Sequence, residues 1–180
     1  FVDYLDNLIA KCNSTNKFAL LFLDLDRFKS INEWYGHDIG DKLLIATCQR
    51  LKENLGPNDF LARQGGDEFI IILNNLNELP EQYHSFVPSN GVILAEKKVS
   101  INDEYEALEK SRHLVRIFRQ PFIIDGITIN STISIGISVY PINGNNRSDL
   151  MKFSDIALYS AKNSGKNTSR VYNCAIKKEE

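Results

Sequence analysis

The chain has 180 residues, 43% of them hydrophobic, a net charge of −2 and a pI near 6.0. That length suits one folded domain able to bury its own core, and the composition excludes a disordered or low-complexity segment. The charge excludes a global basic field of the kind that draws nucleic acid or an anionic membrane, so any anionic ligand has to be handled by local groups.

Cys12, Cys48 and Cys174 are scattered without a C-x-x-C spacing, which argues for a reducing compartment and against a disulfide framework. No apolar run approaches the ~18 residues of a membrane helix. The chain opens without Met, directly on a helical pattern, and reads as a piece of a longer, cytoplasmic protein.

Phe1, Leu5, Leu8, Ile9 and Cys12 recur at helical spacing and predict an amphipathic first helix. "FALLFL", Phe18 to Leu23, is an unbroken apolar run of strand length and predicts a strand buried on both faces. A helix is expected from Arg27 to about Trp34, broken by "YGHDIGD". Another carries Leu43, Thr47, Leu51 and Leu55 on one face and is closed by Gly56-Pro57.

"DFLARQ" and "DEFIIIL" read as two strands of a hairpin joined by Gly65-Gly66, with Asp67 and Glu68 at its tip. Residues 74–100 read as a long connection with one short strand at Val92 to Ala95. Ser100 to Asp103 has the form of a capping box, and the helix after it turns Leu108, Val115 and Phe118 inward before Pro121. "PFIIDGITINSTISIGISVYP" reads as a second hairpin. A last helix runs from Ser148 to about Ser164, with Gly165 as its C′ residue, and "SRVYNC" is a terminal strand. Helices alternate with strands but hairpins interrupt them, so the fold class is α+β, with a mixed or antiparallel sheet.

The chemistry-bearing residues gather at strand ends and turns. Asp24 and Asp26 leave a buried strand, and Asp67 and Glu68 occupy a hairpin tip. Such carboxylates either solvate loop ends or, if the two clusters meet, hold a hard cation such as Mg²⁺, which takes oxygen ligands and keeps substrate phosphates in its shell. "DRFKSIN" starts a helix right after the strand, offering anion-binding N–H groups with Lys29 beside them. Lys162 and Lys166 share a face if their helix persists that far, and are otherwise ordinary partners of a helix C-terminus. His37 is either a ligand contact or a loop-organising hydrogen bonder. His84 and His113 read as surface residues.

"DLDRFKSINEWYGHDIGDKLL", "RQGGDEFIIIL", "SIGISVYP" and "SDIALYSAKNSGKN", four ordered blocks over nearly the whole chain, resemble the GGDEF family of diguanylate cyclases, and most closely the GGDEF domains of GGDEF-EAL proteins. The resemblance implies a nucleotidyl-cyclase or polymerase-palm-like fold, a mainly antiparallel central sheet surrounded by helices, and a single domain over residues 1–180. It implies that two GTP become cyclic di-GMP and two pyrophosphates between the halves of a homodimer, each 3′-hydroxyl attacking the α-phosphorus of the other nucleotide. Asp24, the carbonyl of Leu25, Asp67 and Glu68 match the metal-binding positions, for Mg²⁺ with Mn²⁺ as the alternative. Asp67, with Glu68 beside it, matches the catalytic acid that assists deprotonation of the 3′-hydroxyl. Asn32 and Asp41 match the guanine-reading pair, Phe28 and His37 substrate-proximal positions, and Lys29, Lys162 and Lys166 phosphate contacts. Flanking sensor or EAL domains, and a membrane anchor elsewhere in the full-length chain, are further implications; a nucleic-acid partner is not.

The family's R-x-x-D product-inhibition site corresponds here to "GPND", Gly56 to Asp59, which keeps the Asp and lacks the Arg. Residues 74–100 also exceed the family's usual connection. Three readings follow: an active cyclase, for which every mapped position is filled; a catalytically silent GTP-binding domain that regulates an attached domain; and a purely structural dimerisation domain, which leaves the filled metal and guanine positions unexplained.

Overall fold

The computed structural model describes residues 1–12, 17–74, 76 and 98–173. In chain order these form α1 (Val2–Lys11), β1 (Phe18–Leu25), α2 (Phe28–Tyr35), α3 (His37–Glu53), β2 (Phe60–Gly65), β3 (Glu68–Asn74), α4 (Lys98–Ile117), β4 (Phe122–Ile124), β5 (Ile127–Ile129), β6 (Ile133–Tyr140), α5 (Arg147–Asn163) and β7 (Ser169–Val171). The main sheet has the order β2-β3-β1-β6-β7. Its pairs are antiparallel except β6 with β7, which is parallel.

β1 is the central strand and every one of its residues is buried, as its continuous apolar run predicts. Its two-residue period divides it between two cores. Ala19, Leu21, Leu23 and Leu25 face a large cluster with Ile31 of α2, Leu43 and Leu51 of α3, and Leu114 and Phe118 of the α4 region. Phe18, Leu20 and Phe22 face a smaller one with Leu5 of α1 and Leu150 and Leu158 of α5. The amphipathic first helix is therefore present, anchored by the fully buried Leu5.

β6 shows the same division with a different composition. Ile133, Ile135, Ile137 and Val139 enter the larger core. On the opposite face Gly136 lies against the α5 backbone, and Ser138 Oγ donates to the Leu150 carbonyl at 2.8 Å. Small residues on that face let α5 lie directly on the sheet.

Several local expectations change. "YGHDIGD" does break the helix, but the break is a single residue: only Gly36, at φ 87°, separates α2 from α3, and His37 begins α3. One positive-φ residue suffices to turn the chain between two helices. Ser100 is not the first residue before the helix, because α4 already starts at Lys98; Asp103 lies inside the helix, its buried carboxylate paired with Lys17. The second hairpin is only β4 and β5, a separate two-stranded sheet, whereas β6 joins the main sheet beside β1. That small hairpin is fastened to α3 by Arg50, which donates to the carbonyls of Gln120 (2.7 Å) and Pro121 (3.0 Å) and stacks over Phe122, and by the Lys42–Asp125 pair. The strand expected at Val92 to Ala95, His84 and Cys174 lie outside the described residues; His113 is half-buried rather than on the surface, and Cys12 and Cys48 are half-buried free thiols.

Candidate active site

The β2–β3 turn and the end of β1 come together because β3 pairs with β1 in a register that sets Asp24 opposite Glu68. Past the last strand pair, the Leu25 N–H donates to the Asp67 carbonyl at 3.3 Å. The turn is formed by Gly66, at φ 50°, and Asp67, after a β-bulge between Arg63 and Gly65. Gly65 stays within β2, so one glycine of the pair takes the positive φ. Arg63 Nε donates to the Gly66 carbonyl at 2.9 Å and closes the tip.

Asp24 is nearly buried, and its Oδ2 accepts from Lys162 Nζ at 2.7 Å. Burial pushes its carboxyl above the ordinary range. The Lys162 hydrogen bond and charge pull it back down, and the neighbouring charges of Asp67 and Asp26 push it up again. Crowded carboxylates that resist full ionisation favour a bound cation. Among the described residues no three His, Cys, Asp or Glu side chains gather as a metal cluster. An ion here would therefore take two carboxylates, completing its shell with a backbone carbonyl, water and ligand oxygens, a donor set that fits Mg²⁺.

Asp26 does something different from the cation-holding expected of it beside Asp24. It is buried at 4% exposure and its carboxylate accepts from Thr132 Oγ1 (2.7 Å), Ser134 Oγ (2.7 Å) and the Asn167 N–H (2.9 Å). Its oxygens are occupied by the protein. Sequence reasoning gave it no individual role; the only signal available was its i, i+2 relation to Asp24, which places both on one side of the strand.

α2 and α3 cross at Asn32 and Gly40, where a Cβ on Gly40 would lie 1.8 Å from Asn32 Oδ1 and 3.3 Å from the Phe28 ring. Asn32 Oδ1 is buried and has no hydrogen-bond partner. An orphaned buried acceptor is costly unless a ligand supplies a donor. Phe28 is half-buried against the larger core. Asp41 and His37 are exposed along the first turns of α3. Lys29 is 90% exposed and 3.8 Å from Glu33.

Lys166 is not on α5. The helix stops at Asn163 with Ser164 as its C-cap, and Gly165 (φ 109°), Lys166 (φ 65°) and Asn167 (φ 49°) form a left-handed run. Lys166 N–H donates to Ala161 O and Gly165 N–H to Lys162 O, the Schellman arrangement expected for Gly165 at C′. The four-residue spacing of the two lysines therefore places no common helix face; the turn decides where Lys166 lies. At the corresponding inhibition-site position, Asp59 accepts from the N–H groups of Gly56 (2.9 Å) and Asn74 (3.0 Å), a loop-closing task.

Two clefts of about 300 and 340 Å³ lie elsewhere, between α4 and β7, bordered by Arg112, Arg116 and Arg119. None of the residues expected at the site lines them. No described helix is long and apolar enough to cross a membrane.

Residues 1–88 and 89–168 match the family described as "Diguanylate cyclase, GGDEF domain". The chain is 40% identical over 152 residues to the bifunctional diguanylate cyclase/cyclic di-GMP phosphodiesterase MucR of Pseudomonas aeruginosa, covering 84% of this chain and 18% of MucR. It is 31% identical over 173 residues to the cyclic di-GMP phosphodiesterase NbdA of the same organism, covering 96% of this chain and 18% of NbdA. The chain thus spans less than a fifth of these relatives. Among solved structures, the GGDEF domain of TpbB (YfiN) from Pseudomonas aeruginosa superposes with a TM-score of 0.70 at 27% identity, covering 96% of this chain and 93% of that one. A palm-like sheet, a turn bearing Gly65-Gly66-Asp67-Glu68-Phe69 against the end of the central strand, and these likenesses lead to one conclusion: the chain belongs to the GGDEF domain family of diguanylate cyclases.

Proposed function

We propose that this domain is a diguanylate cyclase that condenses two GTP into cyclic di-GMP and two pyrophosphates across a homodimer. The observation that carries the reading is the meeting of Asp24, at the end of β1, with the turn that carries Asp67, whose neighbour Glu68 stands opposite Asp24, with Lys162 hydrogen-bonded to Asp24. Asp24, Asp67 and the Leu25 carbonyl would hold Mg²⁺, with Glu68 alongside. When bound, the ion supplies charge stabilisation at the α-phosphate and lowers the pKa of the attacking hydroxyl. Asp67 receives the proton of the 3′-hydroxyl as that oxygen bonds to the α-phosphorus of the other nucleotide, and pyrophosphate leaves. Lys162, with Lys29 and Lys166, neutralises phosphate charge.

Guanine reading falls to Asn32 and Asp41, with Phe28 and His37 beside the nucleotide. The orphaned Asn32 Oδ1 supports this part of the reading, since a base N–H would satisfy it. In a longer chain the domain would adjoin sensor or EAL modules. The Arg missing from the "GPND" segment, together with the engagement of Asp59 by backbone N–H groups, supports the absence of product inhibition through that segment.

The test is conversion of GTP with Mg²⁺ at several protein concentrations, followed by chromatography. Cyclic di-GMP should rise more than linearly with protein, and Asp67→Asn should lower it about 100-fold or more. A second reading, a silent GTP-binding domain that regulates an attached one, is favoured by the likeness to NbdA, named a phosphodiesterase. Saturable GTP binding without product would select it.

A further inference from the structure

Asp24 and Asp26, two residues apart, hold the same distal element at two points. Asp24 takes Lys162, in the last turn of α5, and Asp26 takes the Asn167 N–H in the turn that follows. The two grips differ in permanence. A divalent ion or a nucleotide phosphate competes directly for Asp24 and Lys162, because one is a candidate ligand and the other a candidate phosphate contact. Asp26 has no such competitor: it is buried, with two donors at the start of β6 and a third in the turn after α5, and its own N–H donates to the Thr132 carbonyl at 2.8 Å.

The turn needs such a hold. Lys166 and Asn167 are non-glycine residues in the left-handed region, which side chains disfavour unless the surroundings impose it. From the helix side the turn is tied by the Lys166 N–H to the Ala161 carbonyl. From the sheet side it is tied by Asp26 and by the Ile135 N–H donating to the Thr168 carbonyl at 3.0 Å. The other ties of this turn, including the Gly165 N–H to the Lys162 carbonyl, are backbone to backbone; Asp26 is the side chain that joins it to the strand carrying Asp24.

We infer that Asp26 is a positioning residue for nucleotide binding: it pins the 165–167 turn so that Lys166 stays directed at the phosphates after Lys162 is released from Asp24. This rests on the reading of Lys162 and Lys166 as phosphate contacts. It predicts a coupling between a buried carboxylate and an exposed lysine, which a general loss of packing would not produce.

The experiment measures Mg²⁺-dependent affinity for 3′-deoxyguanosine triphosphate, which cannot cyclise, in wild type, Asp26→Ala, Asp26→Asn, Lys166→Ala and the Asp26→Ala/Lys166→Ala double variant. Asp26→Ala should weaken binding about tenfold, and in the Lys166→Ala background the same change should cost less than about threefold. Asp26→Asn keeps an oxygen for the Asn167 N–H and should restore most of the affinity. If Asp26→Ala does not fold, Thr132→Val removes one donor from the same carboxylate and should give a smaller loss with the same dependence on Lys166. Wild-type affinity in Asp26→Ala, or an equal loss with and without Lys166, would overturn the inference. A wild type that shows this coupling yet makes no cyclic di-GMP would refute the cyclase reading alone; one that binds no nucleotide would refute both.

Discussion

Gly136→Ala tests how closely α5 must lie on the sheet. A Cβ at Gly136 would stand 2.0 Å from the Ser154 carbonyl oxygen and 2.1 Å from the Leu158 nitrogen, both backbone atoms of α5, where contacts below 3.0 Å essentially never occur. No rotamer change relieves this, so α5 has to retreat from β6 by about 1 Å. Leu150 and Leu158 are the α5 leucines in the smaller core. A buried leucine makes roughly 50 contacts worth about 0.15 kcal/mol each, and a gap of that size forfeits at least a quarter of them, or about 2 kcal/mol per leucine. Partial relaxation brings the expected loss to about 3 kcal/mol, the upper end of ordinary overpacking. At this chain length that is a fall in melting temperature of roughly 6–12 °C.

Thermal and urea melts read the effect directly. Ser138→Ala serves as the control: it lies on the same face of β6, adds no volume, and removes only the bond to the Leu150 carbonyl, costing about 1 kcal/mol. A Gly136→Ala protein melting within about 2 °C of wild type would show that α5 can be displaced freely, and would refute the close-packing argument.

Glu106 has a 1%-exposed side chain, and burial chiefly pushes its carboxyl up to about 7, with Lys110 lowering it and Asp103 and Asp59 raising it. The folded state holds this proton more tightly than the unfolded chain, so stability falls as pH rises from about 4.5 to about 7 and stays lowered above that, by roughly 3 kcal/mol. Glu106→Gln should gain urea resistance over wild type as pH goes from 5 to 8; a pH-independent difference between the two would contradict the assignment. Lys17→Met leaves the Asp103 carboxylate buried without its partner and should cost about 3 kcal/mol, most of it recovered in Lys17→Met/Asp103→Leu. A single variant as stable as wild type in urea would show that the pair is not needed.

Much of this molecule is readable locally. The buried central strand, the amphipathic first helix, the Gly165 helix stop and the hairpin between β2 and β3 follow from periodicity and backbone preference, which act over a few residues, although the turn itself falls on Gly66 and Asp67 and not on the two glycines. So does the placing of Asp67 and Glu68 beside a tight turn. The motif blocks name the family because their residue types and spacing survive without any knowledge of contacts. What the chain could not disclose is which distant groups meet. Asp24 and Asp26 look equivalent in "DLD", yet one pairs with Lys162 and faces a site while the other is used up by Thr132, Ser134 and Asn167, all more than 100 residues away. Ser100 to Asp103 has the letters of a helix cap, but tertiary contact with Lys17 gives Asp103 a different partner. β6 reads as one arm of a hairpin until its pairing with β1 draws it into the main sheet. Hydrogen bonds and ion pairs between remote segments depend on strand order and register, and those are settled by burying two cores at once.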